Sequence, residues 1–268
     1  MSALSALALL AASAFAQGAP DASYDARLTA VAGEVAVYSA SDPSEPAQAE
    51  SGMFLEEGDR VVVSSGSSAE LSFDGKSLID LNENADFTLT SLSRARAELS
   101  LAFGSLIAKI QKLGDDNLEV RTPAAVAAVR GTEFGVEAGS GGADAHVGVF
   151  DEGRVEVTGQ AGMQVLTPNQ ETSVRRGGAP EAPHPLRRFL ARRAAMRAAL
   201  RRLAFVRAHW RRVSAARRRA MRRRAWARQR ARWRARHVMR RRALNRRRAG
   251  RRAENRRGWR RRKENRFQ

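Results

Sequence analysis

The segment TPAAVAAVRGTEFGVE, residues 122–137, joins a run of small apolar residues to a turn and then to a strand-like run. Pro123 disfavours helical geometry at Thr122, which predicts that a strand ends there. Gly131 permits the positive φ of a tight turn, and Phe134 then returns to the core on the following strand. No histidine or cysteine accompanies these residues. We therefore predict a corner of a β structure here rather than a catalytic loop.

The residues around this corner repeat the same pattern. From 27 to 176, short apolar or alternating runs are separated by turns rich in Gly, Asn and Asp, as in the ELSF run at 70–73. In the DEGRVEV run at 151–157, Gly153 supplies a positive φ for another turn. The pattern predicts a mainly β domain over 27–176, either solenoid-like or barrel-like or sandwich-like.

Charge divides the chain into two parts. Residues 1–174 carry 10 Lys and Arg against 25 Asp and Glu, a net charge of −15, whereas residues 175–268 carry 38 against 3, a net charge of +35. Such an asymmetry indicates an acidic body with a basic tail that interacts with other molecules. The chain contains no cysteine, so the body is stabilised without disulfides.

The first residues are typical of an export signal. An uncharged apolar run ends in the small residues Ala14 and Ala16, and it is shorter than the roughly 20 residues that span a bilayer. We interpret residues 1–16 as a signal peptide cleaved after Ala16 and residues 17–26 as a linker. The expected location is therefore periplasmic or secreted.

The basic tail begins after a change in composition. The run GGAPEAPHP, residues 177–185, predicts an exposed Gly/Pro hinge. Residues 186–268 are rich in Arg, Ala and Trp, which predicts a long helical or partly disordered tail. A single helix over 186–248 would extend about 95 Å. Apolar residues at three- and four-residue spacing predict one apolar stripe on this tail, at Met196, Leu200, Leu203, Val206, Trp210 and Val213.

The sequence offers little for catalysis or cofactor binding. The four histidines are scattered, and neither a nucleophile motif nor a phosphate-binding Gly-rich loop is present. We therefore predict no catalytic, cofactor or metal site, no small-molecule substrate and no enzymatic activity.

The tail carries the strongest functional signal. All four tryptophans lie among its arginines, and Trp with Arg suits either a membrane surface or a nucleic acid, whereas a solvated tail without a specific partner is the plainer interpretation. Export favours an anionic envelope polymer or lipid as the partner, with nucleic acid as the alternative. The residues predicted to bind the anionic surface are Trp210, Arg211, Arg212, Trp226, Arg230, Trp233, Arg234 and Trp259.

Residues 28–175 resemble the FecR domain family. The resemblance is carried by LEEGDRVVVSSGSSAELSFDGKSLIDLNENADFTL at 55–89, by VRTPAAVAAVRGTEFGVE at 120–137 and by VGVFDEGRVEV at 147–157. We interpret Arg130 as a structural residue, with an anion contact as the alternative, because a buried guanidinium needs partners. The residues assigned to the structural motif are Thr122, Pro123, Arg130, Gly131, Thr132, Phe134 and Gly153.

The resemblance implies a mainly β domain that works outside the cytoplasm. In the best-known members it receives a signal from an iron–siderophore transporter, and a cytosolic segment then regulates a sigma factor. The printed sequence has no apolar run of spanning length before the domain, so we expect a stand-alone exported domain. The predicted function is a non-enzymatic binding, sensory or scaffolding module with a possible protein partner. A nucleic-acid binder and a transmembrane signalling regulator are the alternatives.

Overall fold

The computed structural model describes residues 23–111, 117–231, 235 and 238–239, which form seventeen strands, one 3-10 turn (Ser140–Gly142) and two helices. The strands are β1 (Ala26–Ala32), β2 (Val35–Ser39), β3 (Asp42–Gln48), β4 (Phe54–Leu55), β5 (Arg60–Val63), β6 (Ser68–Phe73), β7 (Ser77–Leu81), β8 (Ala85–Leu92), β9 (Arg96–Lys109), β10 (Asn117–Arg121), β11 (Val126–Val129), β12 (Glu133–Ala138), β13 (Asp144–Val149), β14 (Val155–Gly159), β15 (Gly162–Leu166), β16 (Gln170–Arg175) and β17 (His184–Pro185). The helices are α1 (Leu190–His209) and α2 (215–231).

Strand pairing forms two sheets that share β9. Sheet 1 has the order β4-β1-β6-β7-β9-β12-β13-β16-β17, and sheet 2 has the order β3-β2-β5-β8-β9-β10-β11-β14-β15. β9 and β10 are parallel, and the other pairs of named strands are antiparallel. The mainly β prediction is confirmed. Neither sheet closes on itself within the described residues, so the pairing gives the barrel alternative no support.

Gly104 allows β9 to belong to both sheets. Residues up to Phe103 pair with β8 in sheet 2, whereas Gly104 and the residues after it pair with β12 in sheet 1. Gly104 has a φ of +92°, and a Cβ there would lie 2.5 Å from the Cα of Ala85. The sequence predicts a turn at this glycine. The strand instead bends and continues, because both halves find partners.

One apolar core lies between the two sheets. Its side chains alternate along the strands with solvent-facing ones, and they include Leu71 and Phe134 from sheet 1 and Phe87 and Val157 from sheet 2, all fully buried. Burial of large side chains from both layers is the main source of stability in a β structure of this kind.

Residues 122–137 form the corner that the sequence predicts. The Thr122 hydroxyl accepts a hydrogen bond from the backbone N–H of Ala125 at 2.9 Å, which turns the chain from β10 into β11. Pro123 packs against Gly142, where an added Cβ would lie 2.5 Å from the proline ring. Gly131 has a φ of +64° and passes the chain to β12, where Phe134 is buried. Arg130 is exposed.

The turn at Gly131 is joined to the turn at Gly153 by a buried threonine. The Thr132 hydroxyl donates to the carbonyl of Arg154 at 3.1 Å and accepts from its N–H at 3.2 Å. Gly153 has a φ of +94°, and a Cβ there would lie 2.6 Å from the Cα of Thr132. The two glycines and Thr132 therefore form one packed corner.

The segment predicted as an exposed hinge, residues 177–185, makes hydrogen bonds to the body. Within residues 177–185, Glu181 donates its N–H to the carbonyl of Ser173 at 2.9 Å, and β17 pairs with β16. Because Pro lacks an N–H, this stretch adds only a few ladder bonds to the edge of sheet 1. It carries the chain along that edge to α1.

Within the described residues from 186 to 231, the basic tail is helical in two pieces rather than one. α1 ends at His209, the following residue Trp210 has an extended ψ of 115°, and α2 begins after a connector at 210–214. The predicted signal peptide, residues 1–16, and the first part of the predicted linker lie outside the described residues.

Candidate functional site: the seat of the basic arm

The main interface of the structure lies between an acidic body and a basic arm. We use "body" for the described residues of 23–185 and "arm" for residues 186–231. α1 lies against the outer face of sheet 1, and α2 lies against the end of the body near β2 and β4. The contacts differ in kind between the two helices.

Phe189 anchors the start of α1. It is 2 % exposed and packs against Phe150, with ring centroids 6.3 Å apart. An added Cβ at Gly135 or at Gly148 would lie 2.7 Å from the ring of Phe189. Two glycines on adjacent strands therefore create the slot into which the phenylalanine fits.

Further along α1 the contact remains apolar. The side chains share a cluster on the outer face of sheet 1, separate from the main core, and Leu200 packs at its margin. The cluster members are Leu78, Ile107, Phe150, Leu186, Phe189, Met196, Ala199 and Leu203. This arrangement agrees with the first half of the apolar stripe that the sequence predicts.

Carboxylates of the body hold the first turn of α1. Glu171 accepts hydrogen bonds from the backbone N–H groups of Arg188 at 3.1 Å and Phe189 at 3.3 Å. A negative charge at a helix N-terminus is favourable because those N–H groups have no partner within the helix. Arg188 also forms a two-pronged ion pair with Glu137 at 2.6 and 3.0 Å, and this hydrogen bonding lowers the pKa of Glu137.

Arg202 bridges two carboxylates at the middle of the interface. Its guanidinium pairs with Glu70, which is 4 % exposed, and with Asp80 at 2.9 Å. Burial raises the pKa of Asp80, and the charge of Arg202 opposes that rise. Arg202 thus neutralises the negative charges of two carboxylates on sheet 1, Glu70 and Asp80.

Trp210, directly after α1, packs against the body. The guanidinium of Arg27 lies between two rings, 4.1 Å from the centroid of Trp210 and 4.6 Å from that of Phe54. The same group donates to the carbonyl of Arg211 at 2.9 Å. An added Cβ at Gly75 would lie 2.6 Å from the Trp210 ring, so the β6–β7 turn contacts the indole closely.

A buried ion pair holds α2. Arg222 is 6 % exposed, and its Nη2 donates to Asp59 at 2.6 Å and to the hydroxyl of Ser39 at 3.1 Å. Its Nη1 lies 2.9 Å from Oε2 of Glu56 without hydrogen-bond geometry. Burial raises the pKa of Asp59, and the charge of Arg222 opposes the rise.

Trp226 and Arg230 continue this interface. Trp226 is 6 % exposed and joins the main core cluster, and the guanidinium of Arg222 lies 5.2 Å from its ring centroid. Arg230 pairs with Asp42 at 2.7 Å. A cleft of about 610 Å³ opens between α2 and the body, bordered by Ser39, Ser41 and Glu56 on one side and by arginines of α2 on the other.

The structure places the predicted anion-binding residues in three groups. Trp226 and Arg230 face the body, and Trp210 is partly buried against it. Arg211 and Arg212 are exposed on the connector. Residues Trp233, Arg234 and Trp259 lie outside the described residues, and the assignment of all eight to an anionic surface stays a prediction.

Among the residues that the structure describes, no three His, Cys, Asp or Glu side chains are grouped so that they could hold a metal ion. No described helix combines the length and the apolar character needed to cross a membrane.

Comparison with known proteins identifies the central part of the body. Residues 59–156 match the family described as FecR protein. The chain contains a FecR domain. The match begins at Asp59, the buried partner of Arg222, and ends in β14, so the arm lies outside it.

Solved structures add a distant similarity. Two crystal structures of a candidate anti-sigma factor from Parabacteroides distasonis ATCC 8503, at 1.65 and 2.50 Å resolution, each match with 19% identity and a TM-score of 0.44. Each match covers 50% of this chain and 62% of the solved one. No curated protein matches the chain.

Sequence reasoning finds the FecR domain but misses its interface with the arm. Arg222 and Asp59 are 163 positions apart, and no local pattern links them. The only available signal is the opposite charge of the two parts, which predicts attraction but no register. The inward face of α2 is made of Arg218, Arg222 and Trp226, so a search for an apolar stripe overlooks it.

Proposed function

We propose that the protein is a non-enzymatic, exported binding module of the cell envelope that uses its basic arm to contact an anionic surface. The supporting observation is the face of the arm that points away from the body. On α1 this face carries Leu190, Arg197, Arg201 and Phe205, all exposed. Arginine beside exposed apolar side chains suits the headgroup region of an anionic membrane or a phosphorylated polymer.

The second helix continues the same chemistry. Arg217, Met221, Arg224 and Arg228 are exposed at helical spacing on α2, and Arg211 and Arg212 are exposed between the helices. The FecR domain would act as the scaffold that holds these exposed side chains of the arm in place. It would also be the part that binds a protein partner.

Vesicle binding tests this proposal. The full chain should sediment with phosphatidylglycerol vesicles and remain in solution with phosphatidylcholine vesicles at physiological salt. The double substitution Arg211→Gln with Arg212→Gln should weaken binding about thirtyfold, because each basic residue near an anionic surface contributes about 1 kcal/mol. Duplex DNA bound more tightly than the vesicles would favour the nucleic-acid alternative.

A matched control is available on the body. Arg175 and Arg176 are adjacent and exposed at the end of β16, so Arg175→Gln with Arg176→Gln removes the same charge from the body rather than from the arm. The control should bind vesicles like the parent chain. Equal weakening by the Arg211/Arg212 and the Arg175/Arg176 substitutions would contradict a role of the arm in contacting the membrane surface. If the parent chain did not bind vesicles, the proposed envelope function would be rejected.

A second candidate function is a regulator in transmembrane signalling. It is favoured by the match of residues 59–156 to the family described as FecR protein. Cross-linking of the full chain in intact cells should then capture a membrane protein through the body. Recovery of lipid or polymer contacts without any membrane protein would count against this candidate.

A further inference from the structure

The seats of the two helices on the body differ in chemistry. Besides its ion pairs, α1 buries Phe189, Met196 and Leu203 in an apolar cluster, and salt does not screen apolar contacts. Within 215–231, Trp226 is the one large apolar side chain that is buried, and the other buried side chains are those of Arg222, which pairs with Asp59, and Gln229. The α2 seat consists of Asp25, Asp42, Glu56 and Asp59, paired with Arg218, Arg222 and Arg230.

The buried face of α2 has the chemistry expected for binding an external anion. Arg222 and Arg230 both lie close to the ring of Trp226, with guanidinium carbons 5.2 and 5.7 Å from its centroid. The body presents carboxylates to this face where an anionic polymer would present phosphates. One face of a helix cannot contact both at once.

The polar contacts of this seat are incomplete. Arg222 Nη1, Trp226 Nε1, Gln229 Oε1 and Arg230 Nε are buried without a hydrogen bond. A buried polar atom without a hydrogen bond loses its hydration without a compensating partner. Desolvation of a buried ion pair further offsets its Coulomb attraction. Both effects offset part of the attraction that the ion pairs of α2 provide.

The connector allows α2 to move without α1. The helix breaks at Trp210, which is fixed against Gly75 and Arg27, and residues 211–214 are not helical. Detachment of α2 would therefore leave the apolar anchors of α1 in place.

We infer that the α2 seat is an acidic recognition surface for an arginine-rich helix, which α2 occupies reversibly and leaves when an external polyanion competes for its Arg–Trp face. This inference rests on the proposed function, because the anionic surface supplies the competitor. Release would expose the seat, whose four carboxylates then suit a basic helix of another protein.

Substitutions in the seat test the competition in the full chain. Asp42→Asn with Glu56→Gln removes two partly exposed carboxylates that pair with Arg230 and Arg222. Phosphatidylglycerol vesicles should bind this variant roughly fivefold more tightly, because loss of two exposed pairs weakens the internal competitor by about 1 kcal/mol.

The control removes the same charge elsewhere. Glu156 and Glu181 are exposed and far in sequence from the seat, so Glu156→Gln with Glu181→Gln changes net charge equally. Equal vesicle affinity of the seat variant and this control would overturn the inference.

A covalent bridge gives a second readout. The chain has no cysteine, and Ser41 and Ala227 line opposite sides of the cleft, so Ser41→Cys with Ala227→Cys can be joined by a bismaleimide. Bridging should lower vesicle affinity at least fivefold relative to the unbridged variant. Unchanged affinity would overturn the inference.

The two proposals fail in different ways. If no variant binds vesicles, the envelope function fails, and the same comparisons are made with heparin as the polyanion. Tighter heparin binding by the seat variant, with weaker binding after bridging, would support the competition. Equal heparin binding by the parent chain, the seat variant, the Glu156→Gln, Glu181→Gln control and the bridged chain would reject the competition.

Discussion

Gly153 and Thr132 fix one corner of the body. The hydroxyl of Thr132 bonds both backbone groups of Arg154, and this geometry brings the Thr132 backbone against Gly153. Any side chain at Gly153 therefore meets two penalties, from its φ of +94° and from contact with Thr132.

Gly153→Ala should lower the free energy of unfolding by more than about 2 kcal/mol, because left-handed strain of about 1–2 kcal/mol adds to the clash. Gly141→Ala is the control, since Gly141 has a φ of +71° but nothing within 4 Å of an added Cβ. It should cost about 1 kcal/mol. Urea denaturation of both variants measures the difference, and equal costs would contradict the packed corner.

Glu137 gives the interface a dependence on pH. Hydrogen bonding by Arg188 lowers its pKa, so ionised Glu137 stabilises the folded chain above the pKa that it has when unfolded. That stability is lost as the pH falls through the folded pKa. The side chain is 32% exposed, so the effect is reduced by solvent screening.

Glu137→Gln should lower the free energy of unfolding by about 0.5 kcal/mol at pH 7. The difference from the parent chain should shrink as the pH falls below about 4, where glutamate becomes protonated. Glu156→Gln, at an exposed position of β14, should show no difference at either pH. A Glu137→Gln effect that stays constant with pH would argue against an ionic origin.

At the scale of elements, α1 is held by one aromatic anchor. Phe189 lies in the slot between Gly135 and Gly148, whereas Phe205 on the same helix is 66% exposed. The same residue type therefore occupies opposite environments in α1.

Phe189→Ala should destabilise the attachment of α1 by about 3–5 kcal/mol, the usual cost of deleting a buried phenylalanine. Phe205→Ala should change stability by less than about 0.5 kcal/mol. Hydrogen exchange over residues 190–209 distinguishes them, since only Phe189→Ala should speed exchange there. Equal exchange in the two variants would show that the slot does not hold the helix.

The elements of the body were predictable because their signals are local. The turn glycines and alternating runs of the sequence correspond to the hairpins, as at Asp74 and Gly75, where both residues have positive φ between β6 and β7. Gly131 and Phe134 lie in the predicted corner, and Gly153 has the positive φ predicted for its own turn.

The arm was predictable only as a helix former. Its break at Trp210 follows from contacts with Arg27 and Gly75, more than 130 positions away. Arg222 on α2 can be buried because the fold brings carboxylates such as Asp59 beside it. From composition alone, an arginine is expected to be exposed to solvent. The seat therefore could not be derived from the sequence.

At the scale of the whole molecule, opposite charges make the structure sensitive to salt. Arginines of the arm pair with carboxylates in widely separated parts of the body. Arg218 pairs with Asp25, next to β1, and Arg193 pairs with Asp151, after β13. Screening shortens the range of such attraction from about 10 Å at 0.1 M salt to about 3 Å at 1 M. The apolar anchors of α1 are not weakened in this way.

Raising NaCl from 0.05 to about 1 M should therefore detach α2 while α1 stays in place. Hydrogen exchange over 215–231 should become severalfold faster, and exchange over 190–209 should change little. The cysteine-bridged Ser41→Cys, Ala227→Cys chain is the control, because its α2 cannot leave the seat and its exchange should not respond to salt. Equal acceleration in both helices would indicate loss of the whole arm, and no acceleration in α2 would mean that its buried pair with Asp59, rather than the exposed pairs, sets the strength of docking.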